Sequence, residues 1–366
     1  MKKILCFVLL APLFFIRCYA DGLYEQAGEL THAYQVENAL PGPGRAISGE
    51  LKLDGSYDTQ GALERLWGYV IETAWAKLTL ELRTAASLVL LAMHCALGAA
   101  FCESSEILLT LDRIGCCAAA LLLSGSLNGL LAEATDSLLQ LSDYSRAALP
   151  VLFMSAAAGG AVVSASARYA AACLAMEMMI TASQRLIVPL IYAFLALAIS
   201  QSLYENSILQ AVMNLCKWSV TTALTVLTLA FGTYLSLTGL ITGSADALAV
   251  KTARTVLSKS LPIVGGLLSD SASILLTAAA VVKNSVGVFA LIAVCALCAG
   301  PLVLFSVKLL AYKAASAAVG FLPGTHLPKL IGDFGTAFGI LTGLIGCNAT
   351  LLFISIVSGI RAVSPT

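Results

Sequence analysis

Charge is scarce in this chain. Only 11 % of its 366 residues are Asp, Glu, Lys or Arg, whereas a soluble domain carries about 25 %. That scarcity excludes an ordinary soluble enzyme, a disordered protein and a nucleic-acid binder. Catalytic signatures are missing too: there is no GxxxxGK[ST] phosphate loop, no HExxH metal motif and no GxSxG nucleophile elbow. The three histidines, His32, His94 and His326, are scattered over tail, apolar run and loop. No enzymatic activity, cofactor or metal site is therefore expected. What remains is apolar: 59 % of the residues are hydrophobic and the mean hydropathy is +0.89. A chain of this kind belongs in lipid, as one helical bundle.

The net charge of zero hides an asymmetry. Residues 21–168 carry 16 acids against 8 bases, a net of −8, and residues 169–366 carry 5 against 10, a net of +5. The first 20 residues add +3. Of the eleven cysteines, Cys95, Cys116, Cys117, Cys173, Cys295, Cys298 and Cys347 lie in apolar runs, where Cys behaves as a small hydrophobe. The pair Cys295 and Cys298 has CxxC spacing but no second ligand pair, so it reads as neither a metal nor a redox site.

Residues 1–20 have the three parts of a cleavable signal peptide: Lys2 and Lys3, an apolar core over 4–16, and Cys18-Tyr19-Ala20 before the cut. A retained signal anchor is the alternative, and both start residue 21 outside the cytoplasm. Residues 21–84 form an acidic extracytoplasmic lead-in with 10 acids and 5 bases. Pro41-Gly42-Pro43-Gly44 predicts a break there. Beyond it, Leu63, Leu66, Trp67, Val70, Ile71 and Ala74 keep a helical period, and Trp67, Tyr69 and Trp75 suit a helix at the membrane interface. The plain expectation is a solvated tail with a lead-in helix; a docking surface for an extracytoplasmic partner is the sharper one.

Residues 85–366 form the membrane domain. Apolar runs near 85–101, 114–131, 147–163, 186–204, 219–242, 288–311 and 337–360 approach or exceed the ~17–25 residues a span needs. They lack the alternation of a barrel, so the expected fold is all-α, a polytopic bundle of about seven transmembrane helices. Seven spans place the C-terminus in the cytoplasm, with eight basic residues in inside loops against four outside. Between the fifth and sixth runs, 247–264 reads as an amphipathic helix with Lys251 and Arg254 on its polar face. Pro262 and Gly265-Gly266 break it, and 272–282, too short to span, reads as a re-entrant or half-buried helix, with a surface hairpin as the alternative.

Few polar residues enter the apolar runs. His94, beside Cys95, is expected to bond to a neighbouring helix, with a proton relay or a ligand as the alternative. Glu177 lines a polar pathway if 169–184 enters lipid, and otherwise sits on an interfacial helix. Asn348-Ala-Thr350 is a glycosylation sequon made unreachable by its mid-span position. Gly335, Gly339 and Gly343 recur every fourth residue, a stripe that lets another helix approach closely, within the bundle or in self-association.

The order of parts, together with Leu261-Pro262-Ile263-Val264-Gly265-Gly266, Ser269-Asp270 and Val282-Lys283-Asn284-Ser285-Val286-Gly287 before a span containing Pro301, resembles the stage III sporulation protein AE family of endospore-forming bacteria. The similarity is best over about 165–360. It implies a multispan, non-enzymatic subunit of the channel-like complex linking mother cell and forespore, in the mother-cell membrane around the forespore. It further implies partners among membrane proteins of the same sporulation operon, a secretion-type ATPase and a forespore membrane protein, with lipid around it and no nucleic acid. Lys251, Arg254, Pro262, Gly265, Gly266, Asp270, Lys283, Asn284 and Gly287 are then the assembly candidates. The competing reading is a stand-alone secondary transporter, motivated by the break at Pro262.

Overall fold

The computed structural model describes residues 24–361, leaving out 30, 103, 159–161, 205, 261–264 and 323–325; for 105, 125–128, 235–260 and 265–276 it describes the backbone alone. No strand occurs among the described residues. After a helical stretch at 24–29, the helices are α1 (Tyr34–Asn38), α2 (Gly42–Ser48), α3 (Thr59–Ala100), α4 (Ser105–Ala158), α5 (Val162–Ala182), α6 (Val188–Tyr204), α7 (Ser207–Ser260), α8 (Gly265–Val319) and α9 (Leu327–Ile360) among the described residues.

Among the described residues, six helical stretches are long and apolar enough to cross a membrane: Thr59–Ala100, Glu106–Ala158, Val162–Tyr204, Ser207–Tyr234, Thr277–Val319 and Leu327–Ile360. That is six candidates where about seven were expected. The runs at 114–131 and 147–163 were expected to be separate spans, but α4 carries the helix unbroken from Ser105 to Ala158. The two runs therefore belong to one continuous helical stretch. The reason is visible in its inward face. Leu131, Ala134, Leu138, Leu141, Tyr144 and Ala148 are all buried, so the helical period runs straight through the polar stretch at 133–146. If all six stretches cross, residues 59 and 360 lie on the same side, where seven spans would separate the ends.

Contacts between helices set their directions. At one end, a Cβ on Gly115 would lie 2.7 Å from Cys95 Sγ and 3.6 Å from Leu327 Cδ1, which joins the end of α3 to the starts of α4 and α9. At the other, a Cβ on Gly359 would lie 2.5 Å from Leu152 Cδ2, and one on Gly287 would lie 2.3 Å from Ile360 Cγ1. The end of α4, the early part of α8 and the end of α9 therefore meet there. Helices α8 and α9 form an antiparallel hairpin, held where Ser316 Oγ donates to Pro328 O at 2.7 Å.

The acidic lead-in is not a solvated tail. Ala33, Val36, Leu40, Ile47, Leu51 and Leu53 are buried, and the expected break at Pro41-Gly42-Pro43-Gly44 instead starts α2. Pro43 lies in the first turn, where its missing N–H is unneeded. Gly49 ends α2 at φ +71°, a conformation that favours glycine, and Arg65 Nε donates to Ile47 O at 3.0 Å. Tyr57 OH donates to Ser48 O at 2.5 Å, and its ring meets Phe289 edge-on at 5.6 Å. Burial pushes the Tyr57 hydroxyl up to about 12.

The expected interfacial helix is the first half of α3, begun by Asp58, whose Oδ1 accepts from Gly61 N at 2.9 Å. Leu63, Trp67, Ile71 and Trp75 line its exposed face. Helix α8 likewise continues through 272–287 without the interruption expected at Lys283-Asn284. One glycine and no proline in that stretch leave nothing to stop it, so 272–282 is no separate re-entrant element. Between α5 and α6, Ser183–Ile187 forms a π turn. Pro189 sits two residues beyond it. It offers no N–H to the carbonyl of residue 185 and would crowd it, and the wider turn relieves that.

Candidate functional site

Charged side chains inside an apolar bundle are costly and therefore informative. The most enclosed pair is Glu81 on α3 and Lys308 on α8, with side chains 4 % and 6 % exposed. Glu81 shares the inward face of α3 with Ala85, Leu88 and Ala92. Lys308 Nζ donates to Glu81 Oε1 and lies 5.7 Å from the centre of the Phe338 ring on α9. Tyr312, one turn after Lys308 and also buried, packs edge-on against Phe338 at 5.1 Å. One ion pair thus joins three helices, with an aromatic face supporting the ammonium. Glu81 Oε2 has no hydrogen-bond partner among the described residues. Sequence reasoning missed this site because Glu81 lies just outside the expected first span and its partner is 227 residues away. The available signal was Lys308, a lone charge inside the run 288–311.

Two further polar clusters mark the ends of the bundle. Asp112 on α4 is buried; its Oδ1 accepts from His326 N at 3.0 Å, and His326 Nε2 is 3.6 Å from Oδ2. His326 directly precedes α9, so a carboxylate from α4 caps that helix at its positive end. At the opposite end, Arg168 is buried and its Nη1 donates to Ser358 O in the last turn of α9, where a cation suits the negative end of the helix. Lys283, also buried, lies within electrostatic range of Arg168.

The expected assembly residues scatter. Lys283 is enclosed, Asn284 is exposed, and Gly287 is held against Ile360. Lys251 and Arg254 lie on α7, and Gly265, Gly266 and Asp270 on α8, where the side chains are outside the described residues, as is Pro262 altogether. The glycine stripe divides. Cβ atoms on Gly335 and Gly339 would lie 3.4 Å from Lys313 and Leu309 of α8, whereas one on Gly343 would meet nothing within 4 Å. The first two pack the hairpin, and the third faces a groove.

Other expectations resolve locally. His94 is exposed, and its Nδ1 lies 2.7 Å from Leu90 O of its own helix, not on a neighbour. Glu177 is exposed and pairs with Arg146 at 3.2 Å. Asn348 is fully buried, its Nδ2 donating to Ser183 Oγ at 3.1 Å across to the π turn. The nine cysteines described are free thiols; Cys95, Cys116 and Cys298 are buried, Cys117 and Cys295 exposed. A polar cavity of about 340 Å³ lies where the lead-in meets the bundle, with Lys77, Glu133 and Asp136 on its wall beside Pro301.

Two comparisons with known proteins give a match. The model of the family described as Stage III sporulation protein AE matches residues 47–362. A protein of that name from Bacillus subtilis (strain 168) is 24 % identical over 191 residues, which cover 52 % of this chain. That stretch spans about half the relative's length, 48 %. No solved structure matches.

Proposed function

The chain belongs to the stage III sporulation protein AE family, and on that premise we propose that it is a membrane-embedded subunit of the channel or secretion-like complex connecting mother cell and forespore, required for forespore development. The observation that carries the reading is the extent of the family match, residues 47–362. It takes in all six apolar helical stretches and most of the lead-in helices packed on them. A sporulation protein built almost wholly of apolar helices acts within a membrane. In this reading it sits in the mother-cell membrane around the forespore. Its partners are membrane proteins of the same operon, a secretion-type ATPase and a forespore membrane protein, and it is not itself an enzyme.

The assembly residues now separate into two kinds. Asn284 is exposed and available to a partner, whereas Lys283 is enclosed near Arg168. Replacing Asn284 is expected to impair complex assembly while leaving the isolated protein folded and inserted. Wild-type sporulation in an Asn284→Ala strain would remove that residue from the proposed interface.

A C-terminal fluorescent fusion tests the function itself. Signal confined to sporulating cells, on the membrane around the forespore, is the expected result. Uniform envelope signal during growth would overturn it in favour of a stand-alone transporter. One observation keeps that second reading alive, the polar cavity carrying Lys77, Glu133 and Asp136. Solute movement in liposomes holding the purified chain alone would establish it.

A further inference from the structure

A groove of about 470 Å³ opens between α7, α8 and α9, and its two ends differ in chemistry. At the end nearer the start of α9 stand Lys217 of α7 and Lys313 of α8. Lys313 Nζ is fixed there by bonds of 2.8 Å to Gly332 O and Thr336 Oγ1. Lys217 is exposed at the mouth. Lys329 lies in the same neighbourhood, and all three lysines are in electrostatic range of one carboxylate, Asp333. Three cations against one anion leave the mouth positive.

Away from the mouth the groove becomes apolar. Leu224 and Ile340 flank a floor of Gly339 and Gly343, and Cys347 closes the far end. From Thr336 to Cys347 the helix rises about 16 Å at 1.5 Å per residue. That is half of a hydrocarbon core ~30 Å thick, the depth of one leaflet. Exposed aromatic rings gather at the mouth end: Trp218 beside Lys217, Tyr204 at the end of α6 and Phe321 after α8. Such rings settle at the headgroup level.

We propose that this groove binds an anionic glycerophospholipid, its phosphate at Lys217 and Lys313 and one acyl chain along the Gly339–Gly343 floor. Charge decides the occupant. A partner helix would satisfy the glycine floor but would leave three lysines against the single carboxylate of Asp333, whereas a phospholipid satisfies both along one leaflet. The site is independent of the sporulation role.

The full chain, reconstituted in nanodiscs of phosphatidylcholine with a minor fraction of phosphatidylglycerol, tests it by native mass spectrometry of retained lipid. The wild type should retain phosphatidylglycerol in preference to phosphatidylcholine. Lys217→Gln should weaken that preference roughly five-fold, the effect of one basic residue near a headgroup. Gly343→Leu should abolish retention of both lipids while leaving thermal stability unchanged, because its new Cβ meets nothing within 4 Å. Equal retention of the two lipids by the wild type would overturn the proposal, as would wild-type retention by the stably folded Gly343→Leu protein. A lipid-free dimer that Gly343→Leu converts to monomer would assign the groove to a second copy and overturn it as well.

Discussion

Helices α9 and α7 each carry an apolar stretch long enough to cross a bilayer, yet their surroundings differ. Half of that stretch in α9, 50 %, is buried inside the protein, against 11 % in α7. The α9 stretch is the more apolar of the two, but apolar character alone does not bury a helix, since lipid tails are as apolar as a protein core. Small and polar residues do. Helix α9 has Gly335 and Gly339 against α8 and Asn348 bonded to Ser183. Helix α7 turns Ile208, Val212, Leu215, Trp218, Val226 and Leu229 outward. A membrane helix is therefore read as central by its glycines and its bonded polar groups, and as peripheral by an outer row of large side chains.

Breaking the buried ion pair should separate the two regions most. Glu81→Gln or Lys308→Met leaves one enclosed charge without its partner and is expected to cost about 3–5 kcal/mol. The double replacement Glu81→Met with Lys308→Met should recover most of it. Thermal unfolding in detergent of the two single variants and the double variant checks this, and a loss in the double variant equal to the sum of the two single losses would deny the coupling.

Next comes a pair of identical substitutions on one helix. Gly359→Leu drives a side chain into Leu152, only 2.5 Å from the new Cβ, whereas Gly346→Leu meets nothing within 4 Å. The first should cost about 1–3 kcal/mol by overpacking. The second should be neutral or slightly stabilising through better helix propensity. Equal melting temperatures would mean that the end of α9 is not packed as described.

A smaller effect is expected where the lead-in meets the bundle. Tyr57→Phe removes the bond to Ser48 O and should cost about 1 kcal/mol, measured as faster proteolysis of residues before Thr59. The wild type adds a pH signature. With the folded hydroxyl at about 12 against an ordinary 10.0, the unfolded chain ionises first. The contribution of Tyr57 is intact below pH 10 and is lost as pH rises towards 12. The Phe variant should lack that component of alkaline loosening.

The smallest effect belongs to the outer row of α7. Leu229→Ala, on a side chain 65 % exposed, should change stability by less than about 0.5 kcal/mol. A loss as large as that of Gly359→Leu would mean that α7 is covered in the protein tested, and would redraw the comparison.

Much of the architecture was legible in the residues. The expected spans at 288–311 and 337–360 lie inside α8 and α9, because long apolar runs admit one structure in lipid. The expected loop between 131 and 147 is helical instead. Leu138, Leu141 and Tyr144 keep the helical period between Asp136 and Arg146, and that period outweighs the local charge. The lead-in was misjudged for the same reason: its acids hide the buried row Val36, Leu40, Leu51 and Leu53. The Glu81–Lys308 pair is a different matter, since no local pattern relates two residues brought together by the packing of α3 on α8.

The π turn at Ser183–Ile187 has a consequence for geometry. Each residue in a helix advances the side chains by about 100° around the axis, so one surplus residue in a turn re-aims everything that follows. Before the turn, Arg168 reaches the last turn of α9; after it, Ser202 lies beside Cys116 near the start of α4. The widened turn acts as a rotary joint within a single crossing, and the Asn348 amide on Ser183 is the pin that sets its angle.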